Sequence, residues 1–347
     1  MLLRILILYG PPALPAGALP AGHSHRILFY DGAFLETEAS STVVRTPPGG
    51  GAERRRKAEL ILLTITLIWG ATFGVTKSLL ETMQPMGLLT WRFGLSAIIF
   101  YIFHRTRLAR KPNRGELLRG LLLGIFLYLG FALQTFGLAF TSSSRSGLIT
   151  SLYVVMTPIL QIVVIRRIPS ARVFSGILIV LLGLWGLTAP GGTLSGMLEP
   201  WKAGGFGLGD ALTLGGAFSF AIYIIMLDRY ARNANIVLLT ALQLGVMALL
   251  SAAHCLATET WTCPTGAAGW GQILYLAIFA TVLSTYGQTL YQRDTTPTRA
   301  AIIYTMEAVF AAAIGVLLLD EHLGGVGLAG AALIVAGLLV VQLAGES

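Results

Sequence analysis

Long apolar runs recur along the chain from Leu60 onward, and charged residues cluster in the short segments between them. Each run has about 18 to 22 residues, enough for a helix rising 1.5 Å per residue to cross a bilayer core of roughly 30 Å. A membrane barrel would instead need short segments with alternating polarity. The pattern therefore predicts ten transmembrane helices, at residues 60–80, 87–104, 117–139, 146–165, 172–189, 207–227, 235–255, 271–290, 300–319 and 325–343.

Composition places these helices in a bilayer. Hydrophobic residues make up 55% of the 347 positions, charged residues only 12%, and the mean hydropathy is +0.75, far from the balance of soluble proteins. A charge at the centre of a bilayer costs about 2.5 to 3.5 kcal/mol on the insertion scale. Because helices satisfy their own backbone hydrogen bonds in lipid, we expect an all-α membrane protein.

An internal repeat appears when the chain is moved by 154 residues along itself. The shift aligns Gln134 with Gln288 and Arg145 with Arg299 without a gap through residue 189. The repeated unit holds five helices, and an odd number forces the second copy to insert with the opposite orientation. We expect two inverted five-helix repeats, at 58–190 and 206–343, joined by a linker at 191–205.

The first 57 residues differ from the rest of the chain. They contain the turn-forming stretches PPALPAGALPAG at 11–22 and TPPGGG at 46–51. Such composition predicts a disordered tail, which ends in a basic cluster at 54–57. An over-extended gene start is an alternative explanation for residues 1–52.

The distribution of Lys and Arg predicts the orientation. Nearly all of the loop cations lie on one side of the ten-helix arrangement, at 54–57, 105–114, 166–172, 229–232 and 293–299. The opposite loops contain only Arg145 and Lys202. Both termini are therefore expected in the cytoplasm, with the chain in the inner membrane.

Several classes of function are disfavoured. The net charge of +8 comes from clusters between apolar runs, as topology explains, so no nucleic-acid partner is expected. The sequence has no phosphate-binding G-x-x-x-x-G-K-[ST] motif and no combination of nucleophile and base that would make it an enzyme. Cys255 and Cys263 do not form a metal-ligand pattern, so neither a metal nor another cofactor is expected, and the sequence leaves open whether they form a disulfide.

The stretch at 68–93, IWGATFGVTKSLLETMQPMGLLTWRF, resembles the opening of the EamA-like branch of the drug/metabolite transporter superfamily. The residues that carry this resemblance are Trp69-Gly70, Lys77, Pro85 and Arg92-Phe93. The likeness extends over about 60–343 of the chain. It implies ten helices in two repeats, as the apolar runs independently predict.

The stretch at 306–323, MEAVFAAAIGVLLLDEHL, resembles the penultimate helix of that family. Here Ala308 stands where the family often has proline after the residue at Glu307, and Glu321 matches an acidic position. The corresponding stretch of the first half has Pro158, with Arg167 in place of an acid. The resemblance implies export of amino acids, related metabolites or drugs without ATP, and it leaves the substrate open.

Glu307 is the foremost candidate for a functional side chain because it lies well inside an apolar helix. A carboxylate at that depth is costly unless it faces a cavity, forms an ion pair or binds a proton. Tyr304 lies on the same helical face, and the repeat places Thr150 and Tyr153 at the symmetric positions. We expect all four to bind substrate, with Glu307 also coupling transport to protons. Structural hydrogen bonds and core packing are the alternatives.

Four further side chains complete the predicted substrate site: Arg92, Trp69, Gln134 and Gln288. Arg92 can attract a carboxylate or balance Glu307, or it can snorkel to the outer interface. Trp69 can stack on a substrate or fill a helix interface. The two symmetric amides suit either a zwitterionic substrate or bonds between helices.

Other positions are assigned to the scaffold. Lys77, with Glu81 one turn on, is expected to anchor a helix end at the membrane interface. Small residues allow helices to pack closely or to hinge. We assign this role to Gly70, Gly74, Gly124, Gly130, Gly176, Gly183, Gly330 and Gly337.

The sequence thus predicts a secondary transporter that works by alternating access, with its cavity between helices 1 to 4 and 6 to 9. Its partners are the lipid bilayer and a small-molecule substrate, and a homodimer remains open. Proton coupling and facilitated diffusion both fit. The alternatives are an exchanger of sugar phosphates or nucleotide sugars with the same fold, and a membrane sensor or structural protein that transports nothing.

Overall fold

The computed structural model describes residues 28–30, 33–38, 41–45, 50–108, 111–141, 143–165, 168, 170–187, 207–258, 261–319 and 324–343. Its helices are α1 Gly50–Gly70, α2 Thr72–Leu80, α3 Pro85–His104, α4 Arg114–Phe140, α5 Ser143–Ser151, α6 Tyr153–Ile165, α7 Ala171–Leu187, α8 Leu208–Ala231, α9 Ile236–Thr258, α10 Gly266–Ala277, α11 Ser284–Tyr291, α12 Pro297–Tyr304, α13 Met306–Leu319 and α14 Gly325–Leu343. A π-helical segment, Ile278–Leu283, joins α10 to α11, and a 3₁₀ turn, Gln292–Asp294, follows α11.

Three short antiparallel strands precede the helices: β1 Leu28–Tyr30, β2 Ala33–Glu38 and β3 Ser41–Arg45. They lie within the segment predicted to be a disordered tail, and every described element from residue 50 onward is helical. The turn-forming stretches that led to that prediction lie outside the strands, which contain β-branched and aromatic residues. Helix α1 also begins eight residues before the predicted first repeat, so the basic cluster lies on its first turns.

The predicted membrane helices are present in the main. Seven segments are long and apolar enough to span a bilayer: Ala52–Leu80, Pro85–His104, Arg114–Phe140, Ser146–Val163, Leu208–Ala231, Ile236–Thr258 and Gly266–Asp294. Ala171–Leu187 and Gly325–Val341 are shorter apolar helices. The segment at 300–319 is divided between α12 and α13, so the exact number of ten spans stays a prediction. The predicted linker at 191–205 lies outside the described residues.

The 154-residue repeat reappears in the helix boundaries. Shifted by 154 positions, the segment from the start of α5 to the end of α6, 143–165, coincides with 297–319, from the start of α12 to the end of α13. Helix α7 begins at 171 and α14 begins at 325, the shifted position. The packing follows the same relation, since α3 contacts α10 as α9 contacts α4, and α1 contacts α13 as α8 contacts α6. Two repeats related by a two-fold axis produce such paired contacts.

Helices α7 and α14 meet at symmetric glycines. A Cβ atom built on Gly183 would lie 2.7 Å from the carbonyl oxygen of Gly330, and one built on Gly337 would lie 2.8 Å from that of Gly176. The predicted close contacts are present here, because only a hydrogen fits between the backbones. Gly74 makes no such contact, since nothing lies within 4 Å of a Cβ built on it, and its alternative role as a hinge stays a prediction.

Lys77 stabilises a helix end from within the bundle. Its Nζ donates hydrogen bonds to the carbonyl oxygens of Leu138 and Thr141, at 2.8 and 3.2 Å, where α4 ends. These carbonyls have no partner within the helix, and a cation there also complements the helix dipole. Lys77 therefore caps a neighbouring helix. No disulfide joins the two cysteines, of which Cys255 is buried and Cys263 exposed.

Candidate functional site

Three membrane segments are interrupted close to predicted site residues. Helix α1 gives way to α2 at Ala71, α5 to α6 at Leu152, and α12 to α13 at Thr305. Each interruption has predicted site residues on both sides or directly before it. Broken helices at membrane depth are tolerated where they line a cavity or are buried in protein, and they expose polar groups to a ligand.

One internal cavity collects all eight predicted site residues. Its lining comprises Trp69, Thr72, Arg92, Leu127, Phe131, Gln134, Thr150, Tyr153, Phe220, Tyr223, Ile224, Ala280, Thr285, Gln288, Tyr304 and Glu307. Along α1, Trp69 lies ten residues from the buried Glu59, a rise of about 15 Å, or half of the apolar core of a bilayer. The cavity has a volume of about 60 Å³, room for water and below the roughly 300 Å³ at which ligand pockets begin.

The lining is built from symmetric pairs. The repeat relates Gln134 to Gln288 and Thr150 to Tyr304. It also relates Trp69 to Tyr223, a lining residue that the sequence analysis missed. Extending the 154-residue shift to the first helix would have found Tyr223, because both members of the pair are aromatic. The cavity therefore lies between the two repeats.

Glu307 lines the cavity at the first turn of α13. None of the described residues lies within hydrogen-bonding or ion-pair distance of its carboxylate. The cation in the same lining is Arg92, which shares no salt bridge with it. An acid without a direct protein partner can accept a proton or receive a cationic group of a ligand.

The guanidinium of Arg92 is held by the π-helical segment. Its Nε donates to the hydroxyl of Thr281 at 2.8 Å, and a terminal nitrogen donates to the carbonyl oxygen of Ala280 at 3.4 Å. The ring of Phe131 lies 4.6 Å from the guanidinium carbon. Arg92 is only 3% exposed, so its side chain points into the bundle and does not snorkel to the outer interface.

The amide side chains form one hydrogen-bonded group in each repeat. In the first repeat, Nε2 of Gln134 donates to the Thr150 hydroxyl at 3.0 Å. In the second, the Tyr304 hydroxyl donates to Oε1 of Gln292 at 2.9 Å, and Nε2 of Gln288 donates to the same oxygen at 3.1 Å. Gln292 was missed because it follows the apolar run, although it fixes two site residues.

The aromatic side chains give the cavity rigid walls. Trp69 packs edge to face against Tyr304, with ring centroids 5.3 Å apart. Phe131 and Phe220 pack in the same manner at 5.3 Å, which joins the third membrane segment to α8. The ring of Trp69 thus packs against Tyr304 and also lines the cavity, so its two predicted roles are compatible.

The seventh predicted helix differs from its expected role. It was expected to line the cavity, yet no described residue of α9 does so. The reason lies at the position symmetric to Arg92, which is Val246. This side chain packs against α4, where a Cβ built on Gly124 would lie 2.6 Å from that of Val246. The pseudo-symmetry is broken there, so within the described lining only the first repeat supplies a cation.

A buried ionic cluster closes the bundle at the end where α1 and α12 begin. Oε1 of Glu59 accepts a hydrogen bond from the hydroxyl of Thr295 at 3.0 Å and lies 3.6 Å from the guanidinium of Arg299. Glu59 and Arg299 are each 5% exposed. The cluster ties the first membrane segment of one repeat to the start of α12 in the other.

Together these groups can hold a small amphipathic molecule. The cavity offers one carboxylate, one guanidinium, two amides and a set of aromatic rings. Such a lining complements a ligand that carries both an amine and an acid, or a cationic group, on an apolar body. Among the lining residues that the structure describes, Arg92 is the single cation. One positive charge only partly neutralises the negative charge of a phosphate group.

Comparison with known proteins agrees with this architecture. The sequence model of the EamA-like transporter family matches twice, over residues 56–189 and 207–343, once in each half. An uncharacterized transporter of Archaeoglobus fulgidus is 33% identical over 286 residues, which are 82% of this chain and 86% of that protein. The uncharacterized transporter YyaM of Bacillus subtilis is 25% identical over 234 residues, 65% of this chain and 73% of its own.

A solved structure shares the fold. It is described only as a crystal structure of protein, and it superposes with a TM-score of 0.68 at 20% identity, covering 83% of this chain and 97% of its own. The two family matches span most of the chain, and the named relatives are transporters. The apolar helices make the chain a multi-pass membrane protein. The chain belongs to the EamA-like transporter family.

Proposed function

We propose that this transporter exports a small amphipathic metabolite, such as an amino acid or a drug, across the inner membrane by alternating access. The observation that carries the proposal is the cavity between the repeats, in which the carboxylate of Glu307 has no described side-chain partner. Both termini would lie in the cytoplasm, as the Lys and Arg bias predicts. Energy would come from the proton gradient through Glu307.

Substrate binding requires the repeats to move, because the cavity is smaller than a metabolite. The cluster of Glu59, Thr295 and Arg299 closes the predicted cytoplasmic end. Opening that end would separate α1 from α12 and admit the substrate to Trp69 and Tyr304. The interruptions of the membrane segments lie among the lining residues, where bending changes the cavity most.

The alternatives have less support. An exchanger of sugar phosphates or nucleotide sugars would compensate two or more negative charges, and the described lining contains the single cation Arg92. A sensor without transport would not need equivalent polar side chains from both repeats. Symmetric lining is what two alternately exposed half-sites require.

The test is efflux from cells loaded with a mixture of amino acids and other metabolites. The native chain and Glu307→Gln are compared with the proton gradient intact and collapsed. Glu81→Gln is the matched control, since it removes the same charge from an exposed position outside the cavity. We expect one compound to leave faster with the native chain and the control, and slowly with Glu307→Gln or without the gradient.

Two other outcomes would change the proposal. Efflux that persists in Glu307→Gln and without the gradient would leave a facilitated carrier, with Glu307 reduced to a structural residue. No accelerated efflux of any compound, with the protein present in the membrane, would contradict export.

A further inference from the structure

A second cavity lies beside the ionic cluster, with which it shares Glu59. It is a crevice of about 780 Å³ between the first turns of α1 and the last turns of α14, with Ile303 of α12 at its base. Ile303 is 1% exposed and Leu338 9%, whereas Leu60 and Leu339 on the walls are 64% and 55% exposed. The base is therefore part of the protein core, and the walls open outward.

The crevice is divided into a charged and an apolar part. Arg56 and Lys57 line its mouth and are exposed, and Leu60 lies one turn further along the same face of α1. The described part of the chain provides neither cation with a salt bridge. Glu53 is the exposed acid of the mouth, while the Glu59 carboxylate is engaged by Arg299 and Thr295.

We propose that this crevice binds one anionic phospholipid, with its phosphate at Arg56 and Lys57 and an acyl chain between α1 and α14. Two cations above an apolar slot match the phosphate and the hydrocarbon of such a lipid, and basic pockets between membrane helices on the cytoplasmic side recognise anionic headgroups. The mouth lies at the end that the charge bias assigns to the cytoplasm. This site is separate from the central cavity and does not depend on what the protein transports.

The lipid would contact the moving parts of the transporter. Its slot is bounded by α1, which supplies Trp69 to the central cavity, and by Ile303, the residue before Tyr304. A bound lipid would thus brace α1 against α12 and α14. We expect an anionic phospholipid to raise the thermal unfolding midpoint of the full chain above the value in a neutral lipid with the same acyl chains.

The experiment is native mass spectrometry of the delipidated full chain titrated with phosphatidylglycerol or with phosphatidylcholine of identical acyl chains. The double variant Arg56→Gln/Lys57→Gln is expected to lose roughly thirtyfold in phosphatidylglycerol affinity, since each cation at an anionic headgroup contributes about fivefold. The matched control is Arg105→Gln/Arg107→Gln, which removes two exposed cations from another predicted cytoplasmic loop. It should bind as the native chain does.

A third variant tests the apolar slot. Leu339→Trp fills the space between α1 and α14 without changing charge, and it should also reduce binding. Glycerol phosphate, which lacks acyl chains, should not compete at equal concentration. Equal loss in both double variants would indicate diffuse electrostatic attraction and overturn the site. Equal binding of the two lipids would also overturn the site. Unchanged binding in all variants would do the same, and is the result expected if the chain's own amino-terminal segment occupies the crevice.

Discussion

At the scale of single residues, the cavity combines side chains that are fixed with side chains that are free. The hydroxyl of Tyr304 has a partner in Gln292, whereas the carboxylate of Glu307 one turn on has none among the described residues. Fixed groups shape the cavity and free groups remain for a substrate or a proton. This division gives each residue a separate experimental signature.

Two of the three tyrosines in the described lining, Tyr153 and Tyr304, form a matched pair. Tyr304→Phe should lower the stability by about 1 kcal/mol, because Gln292 loses a buried hydrogen bond. Tyr153→Phe removes a hydroxyl that has no described hydrogen-bond partner, so stability should change by less than about 0.5 kcal/mol. Thermal unfolding in one detergent measures both. Equal effects would show that the Gln292 contact does not stabilise the fold.

The sequence was sufficient to identify the site residues that are polar and interrupt apolar runs. Glu307 and Arg92 were identifiable because a charge in such a run is costly, and Gln134 and Gln288 because the repeat relates them. Phe131, Phe220 and Thr285 could not be distinguished from ordinary membrane residues. Which face of an apolar helix meets a cavity depends on neighbouring helices, and a sequence without polar contrast does not contain this information.

At the scale of the elements, small residues decide which helices approach closely. Gly70 ends α1 against α13, where a built Cβ would lie 2.8 Å from that of Phe310, but Gly74 faces open space. The sequence assigned both glycines alike to close contacts or hinges, because residue type alone does not tell which side of a helix meets another. The interruptions of the helices were likewise missed, since no proline lies at Ala71, Leu152 or Thr305.

This pair of glycines yields opposite predictions. Gly70→Ala should destabilise the protein by about 1 to 3 kcal/mol, because the added methyl overlaps α13. Gly74→Ala should be neutral or stabilise it by up to about 1 kcal/mol, because alanine favours the helix. The thermal unfolding midpoints of the two purified variants, compared with that of the native chain, test both predictions. A stable Gly70→Ala protein would contradict the close approach.

The ionic cluster should contribute measurably because it is buried. Removing one member, in Glu59→Gln, should cost about 3 to 5 kcal/mol, because the buried carboxylate that engages both Arg299 and Thr295 is lost. Arg54→Gln breaks the salt bridge between Arg54 and Asp294. Because the Arg54 side chain is 60% exposed, this change should cost less than about 1 kcal/mol. A double-mutant cycle of Glu59 and Arg299 isolates their coupling. If the effects of the two single variants on stability add in the double variant, Glu59 and Arg299 are not coupled. That result would contradict their role in closing the predicted cytoplasmic end.

At the scale of the whole molecule, the orientation follows from charges that are spread over many loops. Orientation is therefore a prediction from the Lys and Arg bias. The helix order and the repeat could be predicted because both are periodic signals over hundreds of positions. The short strands near the amino terminus could not be, because local propensity alone is a weak guide there.

The two cysteines provide a direct test of orientation. Cys263 is exposed between α9 and α10, in a loop predicted to face outward, and Cys255 is buried. A membrane-impermeant maleimide added to intact cells should label the native chain once, and Cys263→Ser should abolish the signal. Labelling that requires permeabilised cells would reverse the predicted orientation.

The contact between α7 and α14 has a consequence beyond packing. Gly176 meets Gly337 and Gly183 meets Gly330, while the repeat equates Gly176 with Gly330 and Gly183 with Gly337. The last helix of each half thus offers a self-complementary surface, which is the requirement for an isologous dimer. An ancestor with five helices could already have paired through this seam. If the two halves are expressed as separate polypeptides, they should associate through the contact between α7 and α14.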